Sequence, residues 1–248
     1  MIVRACTCVG ISLAVLISAN ASANELSVGL GGIYHISPYA DYTKDFSAIP
    51  FAHYESDKIY FRETSLGYII SHDDKNEFSA TLSYLPYEFK PGDSDKKSLQ
   101  QLDKRETTAL AGMSYYRHEK WGTVKFSFSG DILDKSNGFI GEASWMQAIK
   151  MGKLSIIPSA GITWYSNSFT QYYYGISDHE SHDSGLKKYQ PEDSWNPFLG
   201  LSVSYKLLPR LTLLSSARYT MLDNQIKNSP MVDSAYDFSL FTGVSWSF

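Results

Sequence analysis

The feature that most restricts this chain is an alternation of period two, repeated in segments of about 10–13 residues, enough to cross a bilayer as a tilted strand. The last segment places Tyr236, Phe238, Leu240, Thr242, Val244, Trp246 and Phe248 on one face. Asp237, Ser239, Phe241, Gly243, Ser245 and Ser247 fall on the other. The same division runs through ELSVGLGGIYHI (Leu26, Val28, Leu30, Gly32, Tyr34 and Ile36 on one face). In VKFSFSGDIL, Val124, Phe126, Phe128 and Ile132 oppose Lys125, Ser127, Ser129 and Asp131. GFIGEASWMQAI, LSIIPSAGITW and RLTLLSSARYTML repeat it, with Glu142 and Arg218 on the polar faces. An apolar face and a face of small and polar residues describe strands between two environments. The Ser, Gly, Thr and aromatic content favours strand over helix.

The two environments follow from the start of the chain. MIVRACTCVGISLAVLISANASA carries Arg4, then an apolar run, then small residues at Ala21 and Ala23. This order reads as a signal peptide over residues 1–23, followed by a single barrel domain over residues 24–248. Cys6 and Cys8 leave with the leader, so the mature chain has neither a disulfide framework nor thiol chemistry. Downstream, no stretch approaches the ~20 apolar residues of a helical span. Yet 15% of the residues are aromatic, 18 of them Tyr. Export, absence of cysteine and tyrosine-rich alternating segments point to an all-β fold: a transmembrane antiparallel up-and-down β-barrel in a Gram-negative outer membrane, facing outer-membrane lipid. A soluble sandwich accounts for the alternation but not for the leader, the loop pattern and the terminal aromatic together. The formal net charge of −4 and the absence of a basic patch argue against nucleic acid.

Such barrels alternate short periplasmic turns with longer extracellular loops. If the last strand descends to the periplasm, the connections read backwards in phase. DNQIKNSPMVDSA is long, Leu208–Arg210 tight, Ser166–Ser194 very long and Met151–Lys153 tight. DKSNG is compact, His118–Lys120 tight, KPGDSDKKSLQQLDKR long and Asp73–Asn76 tight. Continuing the phase gives a descending strand over Ile59–His72, an ascending one over Pro50–Glu55 and a short descending one near Tyr42–Ala48. The total is about 12 strands, or 10 if the N-terminal part packs differently. Pro158 predicts an irregularity within its strand. The aromatic FTQYYYGIS stretch predicts that the longest loop folds inward.

Candidate chemistry is sparse. SDHESHDSG holds His179, Glu180, His182 and Asp183, but its H-E-x-H spacing is not that of a zinc helix, and it reads as a solvated polar loop. His72, Asp73 and Asp74 fall on a periplasmic turn, where an Asp pair is turn-forming. No G-x-S-x-G elbow occurs. The sequence therefore predicts no catalytic residues, no cofactor and no metal. The candidate functional residues are five inward charges, Lys125, Asp131, Glu142, Arg218 and Asp237. They either pair across a narrow, plugged lumen or line a water-filled pore and set its selectivity.

Several stretches resemble the MltA-interacting protein/OmpV family of outer-membrane proteins. They are GLGG (Gly29–Gly32), TSLGYIIS (Thr64–Ser71), YYYGIS (Tyr172–Ser177), SGLKKY (Ser184–Tyr189), NSPMVD (Asn228–Asp233) and the terminal GVSWSF. QQLDKR (Gln100–Arg105) and HEKWGTVK (His118–Lys125) are similar to its YiaT-like branch. The resemblance implies an outer-membrane barrel. The name-giving member is a scaffold between a murein hydrolase, a lytic transglycosylase, and a murein synthase; other members are porin-like or contact host surfaces. Three functions follow as expectations: a non-enzymatic scaffold touching periplasmic murein machinery, a narrow channel for small hydrophilic solutes, or a surface-contact protein.

Overall fold

The computed structural model describes residues 25–42 and 45–248; the expected signal peptide lies outside the described residues. One antiparallel sheet closes on itself. Its strands are β1 (Glu25–Ile36), β2 (Asp45–Glu55), β3 (Ile59–Arg62), β4 (Ser65–His72), β5 (Asn76–Leu85), β6 (Thr108–Glu119) and β7 (Gly122–Asp131). They continue with β8 (Phe139–Met146), β9 (Ile149–Met151), β10 (Leu154–Tyr165), β11 (Ser194–Leu208), β12 (Leu211–Met221) and β13 (Tyr236–Ser247). β8 and β9 are parts of one interrupted strand, both paired with β10, so the closed barrel has 12 strands. β13 pairs with β1 from Ser27–Ser247 to Ile36–Phe238, and this seam leaves no free edge between the ends of the sheet.

Alternation decides which face meets lipid. Leu30, Phe126, Leu199, Leu213 and Val244 are exposed on the outside. Ser79, Ser114, Ser144, Ser216 and Ser239 are buried inside. Phe46, Phe128, Phe139, Trp195 and Tyr219 lie towards the extracellular end, and Tyr68, Trp121, Trp246 and Phe248 towards the periplasmic end. These are the two aromatic girdles of a membrane barrel. The irregularity foreseen at Pro158 falls on its neighbour. Gln147 and Ala148 drop out of the ladder opposite Pro158, which still accepts from the Gln147 N–H at 3.2 Å but has no N–H to return.

The N-terminal part is divided differently from the expectation, although the strand count stands. Residues 45–55 are one descending strand that contains Pro50. The chain ascends only for Ile59–Arg62, turns at Glu63 and Thr64, and descends over Ser65–His72. The strands expected over Tyr42–Ala48, Pro50–Glu55 and Ile59–His72 are therefore corrected. Glu63 makes the early turn with φ 60°, at the first position of a two-residue hairpin loop where glycine is usual. Below it, Arg62 holds the hairpin between Glu55 of β2 (Nη2–Oε1 2.6 Å) and Glu77 of β5 (Nη1–Oε1 2.9 Å).

Three helices, α1 (Asn167–Tyr174), α2 (Asp178–Ser184) and α3 (Asn224–Lys227), join residues 86–107 to cover the extracellular mouth. Phe89, Leu99, Phe169, Tyr173, Ile176, Ile226 and Met231 are fully buried in this cap. The long aromatic loop thus folds over the lumen as foreseen. SDHESHDSG is not the solvated loop expected of it. Ser177 and Glu180 form a capping box that starts α2, and Gly185 ends it with φ 70°. Glu180 is buried against Arg105 (Nη2–Oε1 2.6 Å), while His179 and His182 face solvent.

Candidate functional site in the lumen

The lumen is built by the small inward residues of the strands. Gly29, Gly31 and Gly243 leave room for inward aromatic rings close to the wall. A Cβ on Gly29 would meet Phe51 at 2.3 Å, and one on Gly31 would meet Phe241 at 2.4 Å. Phe51 and Phe241 pack edge to face at 5.3 Å. Gly67 does the same for Tyr60, whose ring carries the Arg62 guanidinium at 3.8 Å. The GLGG and TSLGYIIS stretches therefore supply thin wall where inward aromatics must fit.

Among the described residues, three cavities can be followed along the interior. The one at the periplasmic end, about 350 Å3, is lined by Ser27, Ser155, Ser202, Ser204, Ser216 and Ser245. It reaches the rim at Glu25, Lys206, Pro209 and Phe248. A middle cavity of about 140 Å3 lies among Arg62, Tyr116, Lys125, Glu142 and Arg218. A third, about 170 Å3, lies under the cap, where Tyr87, Tyr165, Tyr174 and Leu222 close it from above. Glu63 lines all three.

The five sequence-derived charges divide among three places. Lys125, Glu142 and Arg218 meet in mid-lumen. Arg218 Nη2 lies 3.0 Å from Glu142 Oε2 and 3.0 Å from Thr163 Oγ1, and Lys125 Nζ lies 3.5 Å from Glu142 Oε1. Arg218 also stacks over Phe198 at 3.5 Å. Asp237 sits higher and pairs with His35 (2.8 Å). Asp131 does not join the lumen charges. Its carboxylate accepts from the N–H groups of Leu133, Lys135, Ser136 and Asn137, and from the Thr108 hydroxyl, so it shapes the compact 132–138 loop. Arg62, Glu63, Glu55, Glu77 and His35 also face the interior and went unnoticed in the sequence. The signal was available for Arg62. A strand unbroken from 59 to 72 would put it on the lipid face with Leu66 and Tyr68, where a charge is costly.

The remaining family-like stretches assemble the cap. The Tyr173 hydroxyl donates to Glu106 O (3.0 Å), and the Tyr172 hydroxyl accepts from Glu106 N (2.9 Å). Arg105, the last residue of QQLDKR, donates to Gly175 O within YYYGIS (3.1 Å). Ser229, in NSPMVD, donates to Tyr174 O (2.7 Å). In Glu180, burial pushes the carboxyl up, but the hydrogen bonds from Ser177 and the Arg105 guanidinium outweigh it and hold it below the usual carboxylate range.

Residues 28–248 match the family described as MltA-interacting protein MipA. YiaT of Escherichia coli (strain K12), described as an outer membrane protein, is 46% identical over 230 residues, covering 93% of this chain and 94% of that one. The MltA-interacting protein of the same strain is 36% identical over 244 residues, covering 96% and 98%. Among solved structures, an outer membrane channel from Pseudomonas putida F1 aligns at TM-score 0.47 and 10% identity, covering 94% and 98%. The chain belongs to the MltA-interacting protein family, and it is an outer-membrane barrel protein.

Proposed function

We propose that this family member is a non-enzymatic scaffold that receives a periplasmic murein hydrolase or synthase at the lower rim of its barrel. The reading rests on the asymmetry of the lumen. An aromatic cap lies over the extracellular mouth, and a serine-lined vestibule of about 350 Å3 reaches the periplasmic rim. The periplasmic turns alone are too brief for an interface near ~1,600 Å2. A partner segment entering the vestibule adds concave surface to them. A relative over almost the whole chain is named for interacting with MltA, and that name supports the same reading. The test is capture of a lytic transglycosylase or murein synthase by the folded protein in detergent. Capture lost in Lys206→Glu or Arg210→Glu supports the scaffold. No capture, or capture indifferent to both changes, overturns it.

A second reading, a narrow solute channel, is favoured by one observation: Glu63 is common to all three cavities, so they adjoin one another. It requires the cap to move. Conductance steps altered by Glu142→Gln or Arg218→Ala would establish it.

A further inference from the structure

The periplasmic vestibule carries its polar groups on one connected stretch of wall. Ser155 of β10 stands opposite Ser204 of β11, Ser202 of β11 opposite Ser216 of β12, and Thr212 of β12 opposite Ser245 of β13. Ser27 of β1 stands between Ser247 of β13 and His53 of β2. All of them line the cavity, so the belt runs over six neighbouring strands of the twelve. Ser202 and Ser216 bond to each other at 2.8 Å. Two other polar atoms of the belt are buried and have no hydrogen-bond partner among the described residues. They are Ser155 Oγ, on a residue only 7% exposed, and His53 Nδ1. A buried polar atom without a partner is costly, and two at one cavity mark where a guest gains hydrogen bonds. Rotation about a single bond presents the Ser155 hydroxyl to such a guest.

Deeper in the vestibule the wall turns apolar. Phe51 lies two residues further in than His53, Ile157 two further than Ser155, and Leu214 two further than Thr212. Phe51 reaches over Gly243, the residue opposite Leu214, where a Cβ would meet its ring at 3.0 Å. Phe241 holds the same ring edge to face.

This lining narrows the chemistry of the guest. Hydroxyls both donate and accept, so the belt suits a neutral solute that does the same. An apolar segment would bury the hydroxyls without partners. An anion would meet Glu63 at the inner end, while Lys206, the one lysine or arginine of the lining among the described residues, lies at the rim. No group of three His, Cys, Asp or Glu side chains that could hold a metal ion occurs among the described residues. A polar collar above an apolar shelf matches a pyranose ring, which has C–H groups on its faces and hydroxyls around its edge. The volume of about 350 Å3 is at the lower end of small-molecule sites, room for one or two rings.

We propose that the vestibule binds a neutral saccharide of one or two pyranose rings. A C–H face lies against Phe51, Ile157 and Leu214, and the hydroxyls bond to the belt, Ser155 and His53 included. The site is the vestibule of the scaffold reading, but it needs no protein partner.

The test is a saturation-transfer NMR titration of the folded mature protein, in a detergent without a sugar head group. Cellobiose is the probe, with glucuronate and trialanine beside it. The expected result is saturable binding of cellobiose and much weaker binding of the other two. Ser155→Ala weakens it about three- to tenfold, the worth of one hydrogen bond. The same change leaves the barrel at least as stable as the parent, because it removes an unpartnered hydroxyl. Ser204→Leu, which narrows the belt, weakens binding further, and Ser129→Ala in the middle cavity leaves it unchanged. Heat-modifiable mobility verifies the fold of each variant. No saturable binding by folded protein would mean that the vestibule holds water alone, and would overturn the proposal. Equal binding of trialanine, tighter binding of glucuronate, or binding indifferent to Ser155→Ala would overturn it too. Cellobiose bound without capture of a murein enzyme upholds the proposal and fails the scaffold reading alone; capture without cellobiose binding does the reverse.

Discussion

Arg105→Ala is the sharpest probe of the cap. The guanidinium joins two segments far apart in sequence, lying 2.6 Å from Glu180 Oε1 and donating to Gly175 O at 3.1 Å. Both side chains are buried, at 8% and 5% exposure. Truncation leaves Glu180 charged, with only the Asp103 and Ser177 N–H groups as donors. Breaking a buried pair in this way costs about 3–5 kcal/mol. The Asp103 and Ser177 N–H groups still donate to the carboxylate, so the lower end applies. A loss of about 3 kcal/mol raises local opening roughly 100-fold. Amide exchange in detergent reads it directly. Ile176 and Tyr189, whose N–H groups pair with each other's carbonyls, should exchange about two orders of magnitude faster, while the β10–β11 ladder keeps its protection. Arg105→Ala combined with Glu180→Gln should be less damaging than Arg105→Ala alone, because no unpaired charge remains. Exchange at Ile176 and Tyr189 unchanged from the parent, or acceleration spread evenly through the barrel, would refute the reasoning.

Three further outcomes are expected. The Glu180 carboxyl is held low in the folded cap, so its contribution is fully present above the unfolded carboxyl value of about 4.3 and is lost as pH falls through the lower folded value; exchange at Ile176 followed from neutral to strongly acidic pH checks this. Gly31→Val drives a side chain into Phe241, where a Cβ alone would come within 2.4 Å, and should cost about 1–3 kcal/mol, read as a lower urea midpoint of the heat-modifiable gel band. Glu142→Gln leaves Lys125 and Arg218 facing each other without a carboxylate between them; the amide oxygen still accepts a hydrogen bond, so the change should cost less than the roughly 3–5 kcal/mol of a broken buried pair, read by the same assay.

The barrel was legible because its signal is local. Alternation along each strand fixes the lipid face, and short turns such as Met151–Lys153 and Leu208–Arg210 fix direction. Pro158 announced its own irregularity. The β3–β4 hairpin was hidden because its loop, Glu63 and Thr64, contains neither glycine nor proline, and β3, at four residues, is too short to show a period. Only Arg62, stranded on a lipid face by the unbroken reading, betrayed the change of phase. α2 was written in the sequence as Ser177-x-x-Glu180, a capping box overlooked beside the two histidines. Its partner Arg105 could not be found this way, since nothing local connects residues 75 positions apart. The lumen charges divided for the same reason. Lys125 and Glu142 lie on neighbouring strands, whereas Arg218 reaches Glu142 only because the barrel closes.

The central claim is a lumen closed by its cap on the outside and used from the periplasm. Planar-bilayer recording of the refolded mature protein, with the barrel verified by heat-modifiable mobility, tests it most directly. The account predicts silence from the parent protein, because Tyr87, Tyr165 and Tyr174 close the cavity above the Lys125, Glu142 and Arg218 cluster. Reproducible single-channel steps that change in Glu142→Gln would contradict it, and would make the same three residues the selectivity site of a channel.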